Sequence, residues 1–361
     1  MINKRDAIKV DGKITASAET PINVRLGEFR KMRQGVSTNT LTKTGDKNKK
    51  TDKYTNATTI EAKDKSSGLT ITFKDYSALS GLRTSAYQLL DAVTVKFTET
   101  NMAQKHVEIT LDEYMKMRKL KDKKEARKQA EADAKTLVCM NITFYEARHG
   151  ADRAFYSMNL FEGGGINKNN VIVFDFSEKF KETLSGYPYM HVPPLLWQLN
   201  NKRNPNSYYL LRKISELKHM NAGKTNEDLI AVQTLLACSP HFVSYEEVMA
   251  GNKNVTSRII EPFERDMDAL EDALTWEYCH SRGEPLTQKE IDKMTYSVFA
   301  GSLVKITWHK YPIPGKVYGD EEKSEQKTGG KGVLRKKARK AKAQDKGNEK
   351  ARKPQHKGAR K

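Results

Sequence analysis

Residues 110–137 read TLDEYMKMRKLKDKKEARKQAEADAKTL, and residues 244–274 read SYEEVMAGNKNVTSRIIEPFERDMDALEDAL. Both predict a short helix, a turn and a longer helix. In the first stretch Ala126, Ala130, Ala134 and Leu137 share one helical face, and Lys121, Lys124, Lys128 and Lys135 share the other. The small inner residues permit close packing, and the outer face is cationic. In the second, Ser244 caps the short helix with Glu247 three residues on, the spacing of a capping box. Gly251 and Asn252 supply the turn, and the long helix starts near Val255, with Pro262 bending it or marking its true first turn. Ile259 or Ile260, Phe263, Met267, Leu270 and Leu274 form its core stripe. Lys253, Asn254, Ser257 and Arg258 lie on its first turns, and acids follow only at Asp266, Asp268, Glu271 and Asp272.

Working outward, the two stretches belong to an ordered duplication. Before them stand SAYQLL (85–90) and SYYLL (207–211). After them come NITF (141–144) and TWEYC (275–279), then FYSMNLFEGGGINKNNVIVFDF (155–176) and TYSVFAGSLVKITWHKY (295–311). Glu113 to Phe144 and Glu247 to Trp276 span 31 and 29 residues. In the last pair of segments the apolar runs predict strands, with Gly163–Gly165 and Asn167–Asn170 as the turn between them. A helix-turn-helix followed by a hairpin is the winged-helix plan. In the second half, TNEDLIAVQTLLACSP (225–240) predicts a further helix capped at Thr225 or Asn226 and stopped by Pro240.

The expected fold class is therefore α+β, with two tandem winged-helix domains over 66–188 and 189–317. A mostly flexible segment is expected over 1–65, with a short strand at Ile22–Leu26 that Gly27 ends. A disordered tail is expected over 318–361. Hydrophobic residues make up 37% of the 361, too few for two full domains unless part of the length lies outside any core. Net charge is +19, and residues 331–361 hold fourteen Lys or Arg against Asp345 and Glu349, so +12 of it sits in the tail. Such a balance points to a polyanionic partner. Three scattered cysteines without a CxxC pair argue against a disulfide framework or zinc site. No signal-peptide core and no long uncharged apolar run is visible, so a cytoplasmic protein without membrane association is expected.

Several chemical motifs dissolve on inspection. Ala222-Gly223-Lys224-Thr225 resembles the end of a phosphate loop, but Lys218 stands where the first glycine belongs and a helix precedes it. A C-cap at Gly223 and an N-cap at Thr225 explain it better. The histidines are single, with no His-x-His pair. Asp112-Glu113, Glu246-Glu247 and Glu271-Asp272 fall at helical positions where capping or solvation suffices. Trp276 and Trp308 read as core anchors. With no catalytic constellation, no enzyme activity, metal or cofactor is expected.

The residues LDEYMKMRKLKDKKEARKQAEADAKTL, NPNSYYLLRKISELKHM and SYEEVM…RIIEPFERDMDALEDALTWEYC resemble the plasmid replication initiators with two tandem winged helices, the iteron-binding Rep family. The resemblance covers about 69–312. It implies an N-terminal winged helix used in DNA contact and homodimerisation, and a C-terminal one giving the main base readout. It also implies binding to repeated origin sites, DNA opening and recruitment of host replication proteins. By that resemblance Lys121, Lys124, Arg127 and Lys128 enter one major groove of duplex DNA, and Lys253, Asn254, Ser257 and Arg258 the next. A solvated helix face is the plain alternative for both sets. Arg335, Lys336, Lys337, Arg339 and Lys340 are expected to hold phosphates without sequence preference. Two other functions fit the same residues: a transcriptional or partition regulator of a mobile element, and an RNA-binding scaffold led by its tail. Truncation after Tyr318 is expected to flatten the double-logarithmic dependence of duplex affinity on salt by about 0.9 per lost phosphate contact. A titration at several salt concentrations checks this, and an unchanged slope removes the tail from the binding surface.

Overall fold

The computed structural model describes residues 9–10, 13–14, 29–33, 49–51, 58–61, 70–73, 83–100, 104–145, 155–187, 189–251 and 253–311. Strands β1 (Arg30–Arg33), β2 (Lys49–Thr51), β3 (Thr58–Glu61) and β4 (Thr70–Phe73) lead into helix α1 (Thr84–Glu99). Then come β5 (His106–Thr110), α2 (Leu111–Met117), α3 (Lys123–Val138), β6 (Met140–Tyr145), β7 (Phe155–Asn159), β8 (Phe161–Ile166), β9 (Val171–Phe176) and α4 (Glu178–Ser185). The chain continues through β10 (Tyr189–Val192), α5 (Leu195–Gln198), α6 (Ser207–Met220), β11 (Leu229–Ala231), α7 (Val232–Ala237) and α8 (Tyr245–Ala250). A π-helical turn (Thr256–Ile260), α9 (Glu261–Asp268), β12 (Leu274–Cys279), α10 (Gln288–Asp292), α11 (Tyr296–Gly301) and β13 (Leu303–Trp308) complete it. Every strand pairing is antiparallel, and helices and sheets are mixed as in the α+β class.

Two three-stranded sheets share one topology. In the first the order is β8-β9-β5, and in the second β12-β13-β11, so the last strand of each set lies in the middle. Each set follows a first helix, α1 or α6, and encloses a helix-turn-helix, α2–α3 or α8–α9. The duplication is thus visible in strand order. Its matching of parts differs from the sequence reading, because TWEYC, in β12, corresponds to FEGGGI in β8 rather than to NITF. NITF lies in β6, which with β7 joins β2, β3 and β4 in a five-stranded sheet that the second half lacks among the described residues. The second half instead carries α10 and α11 between β12 and β13.

Other expectations change for local reasons. Gly163–Gly165 are not a hairpin tip but part of β8; Gly164 faces Phe174 across the ladder, where a Cβ would stand 2.5 Å from the ring. The turn is Asn167–Asn170, with Asn170 at φ +61°. Of the expected helix 225–240 only Val232–Ala237 is helical, because Leu229–Ala231 pair with β13 and bury Ile230 at the sheet edge. Thr225 sits in a turn. Within the segment 1–65, expected to be mostly flexible, β1 pairs with β10; it buries Met32, and Arg30 makes an ion pair with Glu99 at the end of α1. The alternation of Arg30, Lys31, Met32 and Arg33 is too polar to announce a strand. Ile22–Leu26 and the tail beyond 311 lie outside the described residues. No helix among the described residues is long and apolar enough to cross a membrane.

One continuous core joins the two halves. α1 is buried along nearly its whole circumference, including Gln88 and Asp91, and α6 buries Tyr208 through Arg212. Between them the Arg212 guanidinium donates to Asp91 at 3.1 Å, and the Tyr208 hydroxyl donates to the same carboxylate at 2.6 Å. Both charged side chains are under 6% exposed. Burial raises the Tyr208 phenol well above its ordinary pKa, and the Asp91 charge adds to the rise. Around this pair Trp197 donates to the Gln88 carbonyl at 3.0 Å, and the Gln88 amide donates to the Leu196 carbonyl at 3.0 Å. Removing one member of a buried pair strands the other charge, so Arg212→Met is expected to cost about 3–5 kcal/mol in urea unfolding. Adding Asp91→Leu is expected to restore most of that loss.

Candidate nucleic-acid interface

Each helix-turn-helix is built by the same sequence of local bonds. Thr110 ends β5 and caps α2: its hydroxyl accepts from Glu113 N at 3.1 Å, and the Glu113 carboxylate accepts from Thr110 N at 2.7 Å. Ser244 and Glu247 repeat the box on α8, at 3.2 and 2.9 Å. Both turns then pass through a lysine in the left-handed region, Lys119 at φ +51° and Lys253 at φ +58°. A residue with a Cβ is uncommon there. The backbone is held by Leu120 N donating to the Met115 carbonyl at 2.9 Å and by Lys253 N donating to that of Val248 at 3.0 Å.

The longer helices open with a side-chain cap. Asp122 accepts from Glu125 N at 2.9 Å, and Asn254 accepts from Ser257 N at 3.2 Å. In the second helix Glu261 N reaches back five residues to the Thr256 carbonyl, so a π turn precedes Pro262. Proline lacks an N–H and its ring crowds the carbonyl four residues back, which the widened turn relieves.

Of the eight helix residues singled out from the sequence, Lys121, Lys124, Lys128, Lys253, Asn254, Ser257 and Arg258 are exposed. Arg127 is half-buried and donates to the Asn167 carbonyl at 3.2 Å and to the Asn170 side chain. It ties the first turns of α3 to the β8–β9 turn. Asn254 is likewise engaged as a cap. The remaining positions leave cationic first turns in both halves. The five tail residues Arg335, Lys336, Lys337, Arg339 and Lys340 lie outside the described residues. Trp276 and Trp308 sit on β12 and β13 as core anchors, partly buried against the second sheet's packing.

On the longer helices Asp133, not singled out from the sequence, and Asp266, read there only as part of the helix's acidic end, are buried. Asp133 of α3 accepts from the Ser85 hydroxyl at the start of α1, at 2.9 Å. Asp266 of α9 accepts from the backbone N–H and side-chain amide of Asn206, at 2.9 and 2.7 Å, at the start of α6. Each therefore fastens the longer helix of its unit to the amino end of the first helix, where the dipole favours negative charge. Their spacing was readable: Asp133 stands seven residues after Ala126, and Asp266 three after Phe263, both on the apolar stripe.

No protein-family model matches the chain, and no curated protein matches it. Among solved structures the chain is similar to a selenomethionine derivative of domains 2 and 3 of RctB, at 11% identity and TM-score 0.44, over 76% of this chain and all of that one. A second structure of RctB domains 2–3 matches at 10% identity and TM-score 0.40, over 74% of this chain and 95% of that one.

Burial raises the Asp133 pKa to about 6, against the opposing Ser85 hydrogen bond and the Arg83 and Arg118 charges. Its folded-state pKa thus lies above the unfolded value near 3.9, so the folded protein holds the proton more tightly. The contribution to stability is full below about pH 4 and is lost as pH rises through 6. Asp133→Asn is expected to gain on the wild type by up to about 3 kcal/mol between pH 4 and pH 7. Paired urea titrations at the two pH values check it.

Proposed function

We propose that this chain is a sequence-specific double-stranded DNA-binding replication initiator of a plasmid or other mobile element. In this reading it binds repeated origin sites through two winged helices and recruits host replication proteins, without enzymatic chemistry of its own. The observation that carries the reading is the recurrence of one arrangement, a capped helix-turn-helix packed on a three-stranded sheet, with cationic first turns on the longer helix each time. A helix N-terminus that exposes lysine and arginine suits the major groove, where the duplex presents both phosphates and base edges.

Roles divide by chemistry. Lys121, Lys124 and Lys128 are compact charges on flexible stems and act on phosphates, which position the protein without specifying sequence. Arg258, planar and able to donate two parallel bonds, is the base reader, with Ser257 beside it. Arg127 and Asn254 serve the surface by holding the β8–β9 turn and the second helix start. The tail residues add phosphate contacts that tolerate any sequence.

Footprinting on the DNA flanking the gene tests the reading, with phased protection over direct repeats as the expected result. A small plasmid carrying the gene and those repeats is expected to replicate; protection without replication assigns the chain to regulation instead. Arg258→Ala is expected to cost about 1–3 kcal/mol at the specific site and relax preference at one base pair. Lys124→Ala is expected to weaken binding to all sequences and lower the salt slope by about 1. Competition binding against single-base variants distinguishes the two.

A further inference from the structure

Three buried polar contacts, joined through the backbones of α1 and α6, connect one cationic helix to the other. The path begins at Asp133 on α3, passes through Ser85 to α1, crosses from Asp91 to Arg212 and Tyr208 on α6, and ends with Asn206 bonded to Asp266 on α9. Ser207 adds a hydroxyl bond to the Asp266 carbonyl at 2.8 Å, and Ser239 donates to the Asn206 side-chain oxygen at 2.7 Å. Asp91, Asp133, Asn206, Arg212 and Asp266 are all at most 4% exposed. A buried ion pair or carboxylate bond tolerates little displacement before a polar group is stranded. Such contacts join the two halves alongside the shared apolar core.

We propose that Asp91, Tyr208 and Arg212 are positioning residues which set the separation and relative rotation of the two DNA-reading helices, so that the protein accepts its two DNA segments at one spacing only. This rests on the proposed DNA-binding function for its consequence, but its structural half does not. Inserting one base pair between the segments turns one about the duplex axis by roughly a tenth of a turn and moves it by about 3.4 Å. A rigid reader cannot follow both displacements.

Two measurements test the proposal. In the first, spin labels are placed at Lys124→Cys and Ser257→Cys in a chain carrying Cys139→Ser, since Cys139 is the exposed native thiol among the described residues. Without DNA, the distance distribution is expected to be narrow with the native joint and clearly broader in the Asp91→Leu/Arg212→Met background, and a width unchanged in a folded double variant overturns the proposal. Tyr208→Phe, which keeps the ion pair and loses one bond, is expected to fall between. In the second, unlabelled proteins are titrated with duplexes in which the two protected segments are separated by the native spacing or by one more base pair. The native chain is expected to lose at least about tenfold in affinity on insertion, and the double variant less than about threefold. Equal penalties in the two proteins overturn the proposal. A native chain that protects no specific segments refutes the DNA-binding reading instead, and the distance measurement then decides the positioning role alone.

Discussion

The Asp91–Arg212 pair lies where the two halves meet, and the rest of the molecule is arranged around it. Two charges removed from water are tolerated because each finds the other, and Tyr208 adds a bond to the carboxylate. The consequence is architectural. α1 and α6 cannot be separated without exposing or stranding these groups, so two units that each resemble a small independent domain share a single core. The linker region around β10 is drawn into the same body, pairing with β1 far upstream.

The two units keep their frame and differ in their additions. Both retain the strand order, the capping box, the left-handed lysine and the buried aspartate that fastens the longer helix. These are the features that fix where the exposed lysines and arginine stand. The first unit adds β6 and β7 between α3 and β8, which complete a five-stranded sheet with β2, β3 and β4 from before α1 and whose outer ladder bonds Asn141 to Asn159 and Thr143 to Ser157. The second inserts two short helices into its hairpin, where Tyr296 stacks on Tyr245 of α8 at 4.2 Å. The additions lie at different points of the common plan, which is why a linear matching of segments misassigned NITF.

Much of the candidate interface was legible because it depends on local rules. Helical spacing separated Ala126, Ala130, Ala134 and Leu137 from the lysines of the same helix, and the burial of the four alanine and leucine side chains follows that division. The residues named from Ile259 to Leu274 are all buried, including both isoleucines between which periodicity alone could not choose. The expected helix, however, ends at Asp268, so Leu270 lies in a turn and Leu274 opens β12. Ser244 with Glu247 marked a helix start through a bond spanning three residues. Arg127 and Asn254 were found as polar residues near the interface, yet their partners were not, since Arg127 meets a turn some forty residues away.

What the sequence by itself determined is whatever is decided within a few residues: the two helix pairs, the Ser244 cap, the polarity of their faces, and the concentration of positive charge from residue 331 onward. The tertiary structure alone decided which strands are neighbours, that Leu229–Ala231 extend rather than coil, and that Gly164 serves Phe174 rather than a turn. It also decided that Asp91 belongs to Arg212 across 121 positions of chain. Strand pairing and buried charge pairing have no fixed spacing in sequence, because their energy comes from groups that only the folded core brings out of water together.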